Sequence, residues 1–308
     1  MKHRMLVFVF AMVFISVVGC SAPRTGGSGP DSPDVMRVAT YNTYYVFNKG
    51  TEIEAGTDWL AAQAFDIVAL QELTNISHDR LAELALGWGH EHSALLKTSG
   101  FSVGLTSNRP IETVSRMVDG LHHGMLHVRV SGIDVLVVHL SPFRWEVRQS
   151  EAALILEYLR PLQVEGRHVI VLGDFNALSA DDRALLAAQP ELLEKHRESD
   201  ETHGHVENLR DEQFDFSVMQ AFLNAGLSDV SLPFFEKVPD VRWTYPTGIW
   251  DEEEHKPPVG GSRIDYVLMN DALAARVVHA RVVRQGVVNR VSDHYPVVVD
   301  LRWPTAPE

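Results

Sequence analysis

From Val35 to Trp303 one pattern recurs: a short run of β-branched and apolar residues stops abruptly at a residue that a packed core rejects. Val38-Ala39-Thr40-Tyr41 leads into Asn42, Ile67-Val68-Ala69-Leu70 into Gln71-Glu72, and Val135-Leu136-Val137-Val138 into His139. Val169-Ile170-Val171-Leu172 leads into Gly173-Asp174-Phe175-Asn176, Arg263-Ile264 is followed at once by Asp265, and Ser292-Asp293-His294 precedes Tyr295-Pro296-Val297. Near-continuous apolar runs of this length read as strands buried on both faces, which requires a sheet covered on each side. A carboxylate or amide at the edge of such a sheet loses hydration unless a charge or a hydrogen-bond donor compensates. One polar strand end is ordinarily a turn or a helix cap, but six of them, rich in Asp, Asn, Glu and His, point to a single converging site.

Strand signals are clearest at 37–41, 67–70, 102–106, 133–138, 169–172, 264–268 and 297–301. Helical periodicity is predicted at 52–64, 77–86, 215–224 and 144–159; in the last, Val147, Leu154, Ile155 and Tyr158 share a face and Pro161 closes the pattern. Ser131-Gly132 and Asn108-Arg109-Pro110 read as hairpin turns, so the sheets should be mixed. Residues 195–214 and 250–262 read as long solvated loops. With no composition break between them, residues 35–303 are expected to form one large α/β domain.

The 308 residues are 45% apolar and 22% charged, a globular composition that excludes disorder and collagen. Lys plus Arg is 27 against Asp plus Glu 41, a formal charge of -14, so any anion site must be local and extensive contact with nucleic acid is disfavoured. The single cysteine, Cys20, excludes an intramolecular disulfide or a cysteine-rich zinc site. It ends an apolar run that follows Lys2 and Arg4 and is shorter than the roughly 20 residues of a bilayer span, which reads as an export signal. Val17-Val18-Gly19-Cys20 resembles the bacterial lipobox, in which the cysteine is lipidated, with a plain secretory signal or a membrane-anchored helix carrying an accidental cysteine as the alternatives. The expected organisation is therefore a signal over residues 1–20, a flexible tether over 21–34, and a domain held by its lipid anchor on a membrane outside the cytoplasm. Ser21 after the cysteine predicts an outer membrane where the organism has one.

The residue types at the strand ends suit a hard divalent cation better than zinc. Glu72 and Asp293, assisted by Asn42, would supply oxygen ligands for Mg²⁺, with Mn²⁺ or Ca²⁺ as alternatives. His139 and His294 suit proton transfer or charge stabilisation, and Asp265 could orient His294. Asp174 could accept a proton from an attacking water that Asn176 helps to place.

Thr40-Tyr41-Asn42, Asp66 to Glu72, Val138-His139-Leu140, Gly173-Asp174-Phe175-Asn176, Arg263 to Tyr266 and Ser292 to Val297 resemble, in order, the successive blocks of the endonuclease/exonuclease/phosphatase superfamily. The resemblance implies the deoxyribonuclease I fold, an α/β four-layer sandwich of two mixed β-sheets flanked by helices, with the site across the sheets' common edge. It also implies roles. Glu72 would be the principal metal ligand with Asn42 and Asp293 nearby, Asp174 and Asn176 would handle the water, and His139 and His294 would contact the scissile phosphate, with Asp265 paired to His294. The implied reaction is metal-dependent hydrolysis of a phosphate ester. Secreted nuclease is the alternative within that class, and a lipid-anchored binding protein that has lost catalysis is the alternative outside it. The second would lack one or more of Glu72, Asp174, Asn176, Asp265, Asp293 and His294, and all are present.

Arg144 and Arg148, four apart on the predicted helix after His139, could project together toward phosphate, although an exposed helical face also accounts for them. His122-His123 reads more readily as a sheet-surface pair than as a cleft lining. His203 and His205 have metal-like spacing but no evident third ligand, Asp229 reads as a loop brace, and the aromatics of Trp243-Thr244-Tyr245-Pro246 as wall or core.

Overall fold

The computed structural model describes residues 35–235, 241–249 and 260–303. The predicted signal, Cys20, the tether and most of the expected loop at 250–262 lie outside the described residues. No helix among the described residues is long and apolar enough to cross a membrane.

Two six-stranded mixed sheets form the centre of the fold. The first contains β1 (Val35–Asn42), β2 (Ile67–Thr74), β3 (His92–Leu95), β4 (Phe101–Ser107), β13 (Val277–Val282) and β14 (Val297–Arg302), in the order β13-β14-β1-β2-β4-β3. The second contains β5 (Ile111–Met117), β6 (Met125–Val130), β7 (Ile133–His139), β8 (His168–Asp174), β11 (Leu227–Asp229) and β12 (Asp265–Asn270), in the order β11-β12-β8-β7-β6-β5. Each sheet has one parallel pair, β1 with β2 and β7 with β8, bounded by antiparallel neighbours. The parallel pairs are joined by crossovers through α1 (Ile53–Gln63) and α3 (Trp145–Val164), as parallel neighbours require. β9 (Leu209–Arg210) and β10 (Gln213–Phe214) make a separate two-stranded ribbon.

Alternation along the strands builds the layers. Met36 and Val38 of β1 and Ile170 and Leu172 of β8 join the core between the sheets. Ala39 and Tyr41 face the other way, against Leu60 of α1 and Leu81 and Leu84 of α2 (His78–Gly87). Val169 and Val171 pack against Ile155 and Leu159 of α3 and Met219 and Phe222 of α6 (Ser217–Asn224). Burial on both faces explains the unbroken apolar runs, each such side chain contributing about 1.5–3 kcal/mol.

Three local expectations are corrected. α3 continues through Pro161 to Val164, and its buried face is Arg148, Glu151, Ala152, Ile155 and Leu159, whereas Val147 and Leu154 are exposed. A proline in the last turns removes one hydrogen bond from a helix already held by its packed face. Asn108-Arg109-Pro110 is not a hairpin: it carries the chain from β4 in one sheet to β5 in the other, with Asn108 and Arg109 both bonded to Asp66. The expected loop at 195–214 begins inside a helix, α5 (Pro190–Thr202), which follows the short α4 (Arg183–Ala187), and ends in the β9–β10 ribbon. α5 buries only Leu192 fully, so it lacks the apolar stripe by which a helix is read, and its Glu, Lys and Arg residues are good helix formers. Ser131-Gly132 does form the β6–β7 turn, with both residues at positive φ (51° and 79°) as a two-residue hairpin requires.

Candidate active site

Pairing register alone aligns three of the polar strand ends. His139 of β7 lies opposite Asp174 of β8, and Asp174 lies opposite Asp265 of β12, one row across three neighbouring strands. Gly173 permits this, since at φ 144° a Cβ would sit 1.9 Å from the carbonyl oxygen of Val138. In the other sheet Asn42 ends β1 opposite Gln71. The β2–β4 register slips between Leu70 and Leu73, and Glu72, inside the slip, takes a left-handed conformation with φ 58°. Such a bulge re-aims a side chain that regular pleating would direct elsewhere. Asn176 is likewise left-handed, at φ 47°.

After Asn42 the backbone is left-handed from Tyr44 to Lys49, a run that costs roughly 1–2 kcal/mol per residue and that only firm packing sustains. Tyr44, Val46 and Phe47 are buried, and Phe47 lies against Gly56, where a Cβ would approach the ring to 2.6 Å. The segment delivers two backbone donors to the site, Tyr44 N–H to Asn42 Oδ1 (3.1 Å) and Tyr45 N–H to Glu72 Oε2 (3.3 Å).

Asp174 is the hub. Its Oδ2 accepts from Asn42 Nδ2 at 3.0 Å and lies 3.5 Å from His139 Nε2 and 3.8 Å from His294 Nε2. Its Oδ1 accepts from the Asn176 N–H at 2.9 Å. Asn42 Nδ2 also reaches Glu72 Oε1 at 3.3 Å, tying the two sheets' strand ends together. His294 Nδ1 bonds Asp265 Oδ2 at 2.8 Å, and Ser292 Oγ donates to the Asn42 carbonyl at 2.6 Å while receiving the His294 N–H at 3.1 Å. Asn42, His139, Asp174, Asp265, Asp293 and His294 are all buried, and Glu72 is half-buried.

Crowding of acids sets the electrostatics. Burial, reinforced by the Asp265 charge, pushes the Asp174 carboxyl up to about 7. Burial and the Glu72 charge push Asp293 up to about 7, and burial raises Glu72. Burial alone would depress the His294 imidazole, but Asp265, Asp293 and Asp174 hold it well above its ordinary value, so it keeps its proton at neutral pH. His139 is driven the other way by burial and by its histidine neighbours.

These residues fit a divalent cation. Several buried carboxylates, those of Asp174, Asp265 and Asp293, crowd around the one imidazole of His294, and Asp265 Oδ1 is buried with no hydrogen-bond partner. Ligand atoms of Asp174, Asp265 and His294 fall within 4.8 Å of one another. That trio is the weaker cage, because Asp265 already occupies His294 Nδ1 and a protonated imidazole has no lone pair to give. Glu72 and Asp293 remain the better oxygen donors. Asn42, expected as an assisting ligand, turns its nitrogen toward Glu72 and Asp174 and its oxygen toward the Tyr44 N–H, so it bridges those two acids as a donor.

The chain matches the family model described as endonuclease/exonuclease/phosphatase family over residues 39–294. It belongs to that family. Among solved structures it is similar to a 3′ phosphatase from Neisseria bound to product DNA hairpin (21% identity, 87% of this chain and 100% of that one, TM-score 0.63). It is also similar to an AP endonuclease from Archaeoglobus fulgidus (18% identity, 86% and 98%, TM-score 0.61) and to a 3′-5′ exonuclease from Neisseria meningitidis (22% identity, 87% and 100%, TM-score 0.63). At these identities the likeness establishes the deoxyribonuclease I-like fold. A search of curated proteins finds no match.

The two arginines after His139 part company. Arg144 precedes α3 and pairs with Glu207 and Glu146, whereas Arg148 is buried, donates to the Ser141 carbonyl at 3.0 Å, and leaves its Nε without a partner. Asp229 pairs with the buried Arg263, which also holds Asp182, bracing the turn before Asp265. Thr244 Oγ1 accepts from the Asp265 N–H at 3.2 Å, and the Tyr245 ring lies 5.1 Å from that of His294. His203 and His205 stand edge to face 6.2 Å apart, with His205 against Phe143.

Glu151 escapes the sequence reading, and His123, expected in a sheet-surface pair, lies instead in the cleft. His123 is buried and stacks on His139 with centroids 4.0 Å apart, and burial together with His122 drives its imidazole down to about 3. Glu151 accepts from the His122 N–H at 2.6 Å and the Ser141 N–H at 2.8 Å, fixing both loops that flank His139. The signal was present for Glu151: Arg148, Glu151, Ala152, Ile155 and Leu159 follow 3–4 spacing, and charge alone disguised the stripe.

Proposed function

We propose that this family member is a divalent-metal-dependent hydrolase of phosphate esters, using Mg²⁺ with Mn²⁺ or Ca²⁺ as substitutes, held outside the cytoplasm by a lipid on Cys20. The observation that carries the reading is the placement of Asp174 between Asn42, Asn176, His139 and His294. A carboxyl lifted to about 7 can take a proton from water at neutral pH, and Asn176 fixes its orientation through the backbone. His294, kept protonated and aligned by Asp265, presents Nε2–H toward charge developing on phosphoryl oxygen. His139, neutral and stacked on His123, adds a second imidazole edge beside Asp174. A cation held by Glu72 and Asp293 would neutralise charge on the phosphoryl and leaving oxygens.

The test is turnover of bis-p-nitrophenyl phosphate with added Mg²⁺ or Mn²⁺. Activity should require the ion and fall at least about a hundredfold in Glu72→Gln, Asp174→Asn and His294→Gln. Activity surviving all three substitutions would overturn the assignment. The anchor is tested by labelling with radioactive palmitate, which should be lost in Cys20→Ala.

Nuclease activity is the second reading, favoured by the similar phosphatase bound to product DNA hairpin and opposed by the net charge of -14. Cleavage of plasmid or oligonucleotide at kcat/KM above that for small esters would select it.

A further inference from the structure

A cavity of about 310 Å³ opens beside the site, reaching from Asn176 and His294 to α5. Its volume is at the lower end of the roughly 300–1,000 Å³ typical of small-molecule pockets. Leu178, Leu192, Phe214 and Ile264 supply apolar wall, while Arg148 and Lys195 supply cationic groups. Arg148 is 3% exposed, and its Nε is buried without a hydrogen-bond partner. Guanidinium groups are rarely buried in this condition, because an unmet charged donor loses its full hydration. The four acids whose charge it feels accept from other donors: Asp215, which also lines the cavity, from Ser217 N and Oγ, Glu151 from the His122 and Ser141 N–H groups, Asp174 from Asn42 and Asn176, and Asp200 from the Asn208 and Leu209 N–H groups. Burial accordingly lowers Arg148 to about 10 in spite of those neighbours. Beyond the protonated His294 at its catalytic end, the cavity lining therefore carries two cations, Arg148 and Lys195, against one carboxylate, Asp215.

We propose that this cavity holds the organic arm of the substrate ester and that Arg148 and Lys195 bind a second anionic group on that arm. The substrate class of the site is then a small molecule bearing two phosphates, or a phosphate and another anion, in preference to a polymer. This rests on the phosphate-ester reading above for the first phosphate and adds the second. α5 forms one wall, so the element that the sequence concealed most thoroughly would choose the substrate.

Two measurements on the full chain separate this inference from the reading beneath it. In steady-state kinetics with Mg²⁺, propane-1,3-diol bisphosphate should show a KM about tenfold or more below that of the monophosphate. Calorimetry with the non-hydrolysable propane-1,3-bisphosphonate and propylphosphonate should show the same preference. In Lys195→Glu, an exposed position that tolerates change, and in Arg148→Gln, the preference should fall below about threefold. If neither ester turns over, the functional reading is still decided by the bis-p-nitrophenyl phosphate assay, and calorimetry decides the cavity. Equal affinity for the two phosphonates in the unaltered protein, or a preference that both variants retain, would overturn the inference. So would a twelve-nucleotide DNA strand that displaces the bisphosphonate and binds as tightly.

Discussion

Strand β7 carries a buried acid–imidazole pair near one end and contributes to another at the opposite end, and the two differ in what surrounds them. At the start of the strand Asp134 meets His127 Nε2 at 2.9 Å, and His127 Nδ1 meets the Tyr158 hydroxyl at 2.8 Å. At its finish His139 adjoins the Asp265–His294 pair, bonded at 2.8 Å. Asp134 is also held by Arg129 and Arg167; burial would raise its pKa, but Arg167 and His127 pull it below the usual carboxylate range. At the other end Asp174 and Asp293 are lifted to about 7 and Asp265 Oδ1 has no partner. The same dyad is thus charge-balanced by arginines at one end of the strand and crowded by unneutralised acids at the other. An uncompensated acid cluster is the feature that invites a cation and a substrate.

The largest contrast should come from paired substitutions. Asp174→Asn should lower kcat by about 10²–10⁴ while raising thermal stability, because it removes a buried unneutralised acid. Asp265→Asn should lower kcat within the same range, since His294 would lose the carboxylate that keeps it protonated and aligned. Asp134→Asn should do the reverse, losing about 1–3 kcal/mol of stability because the buried His127 and the partly exposed Arg129 and Arg167 lose their shared acid, while folded protein turns over normally. Denaturant melts and kcat measured on the same preparations test both signs.

pH should divide the two ends next. Asp174 and Asp293 bind protons more tightly folded than unfolded, so the metal-free protein keeps their contribution at low pH. That contribution is lost as pH rises from about 3.9, the ordinary Asp value, through about 7. Melting temperature without metal should therefore fall between pH 5 and 8, and Mg²⁺ should raise it more at pH 8 than at pH 5. Asp134 has the opposite sign, its share being lost only as pH drops below the usual carboxylate range. The smallest effect belongs to Arg144→Ala: its pairs with Glu146 and Glu207 are at the surface, so stability should change by less than about 1 kcal/mol and kcat by less than twofold.

Much of the fold was legible because burial on both faces leaves an unmistakable mark. The runs at 37–41, 67–70, 133–138 and 169–172 each fall inside a strand, and their polar ends meet. The illegible parts share a cause, which is that tertiary partners reverse the usual meaning of a residue. Glu151 faces inward because two loop N–H groups satisfy it, and Arg148 faces inward with one bond to a loop carbonyl, so α3 buries a stripe that hydropathy assigns to solvent. α5 has no apolar stripe and reads as a loop. His123 lies one turn of chain before β6, and only the stack on His139 gives it meaning. Nothing local announces the left-handed run at Tyr44–Lys49 either, since glycine is absent from it.

The most direct test is a calorimetric titration of Mn²⁺ into the metal-free full chain at pH 8, repeated with Glu72→Gln and with Asp134→Asn. Saturable binding should be seen in the unaltered protein, be weakened at least about tenfold by Glu72→Gln, and be unchanged in Asp134→Asn. No saturable binding, or equal affinity in Glu72→Gln, would contradict a cation centre built from the strand ends.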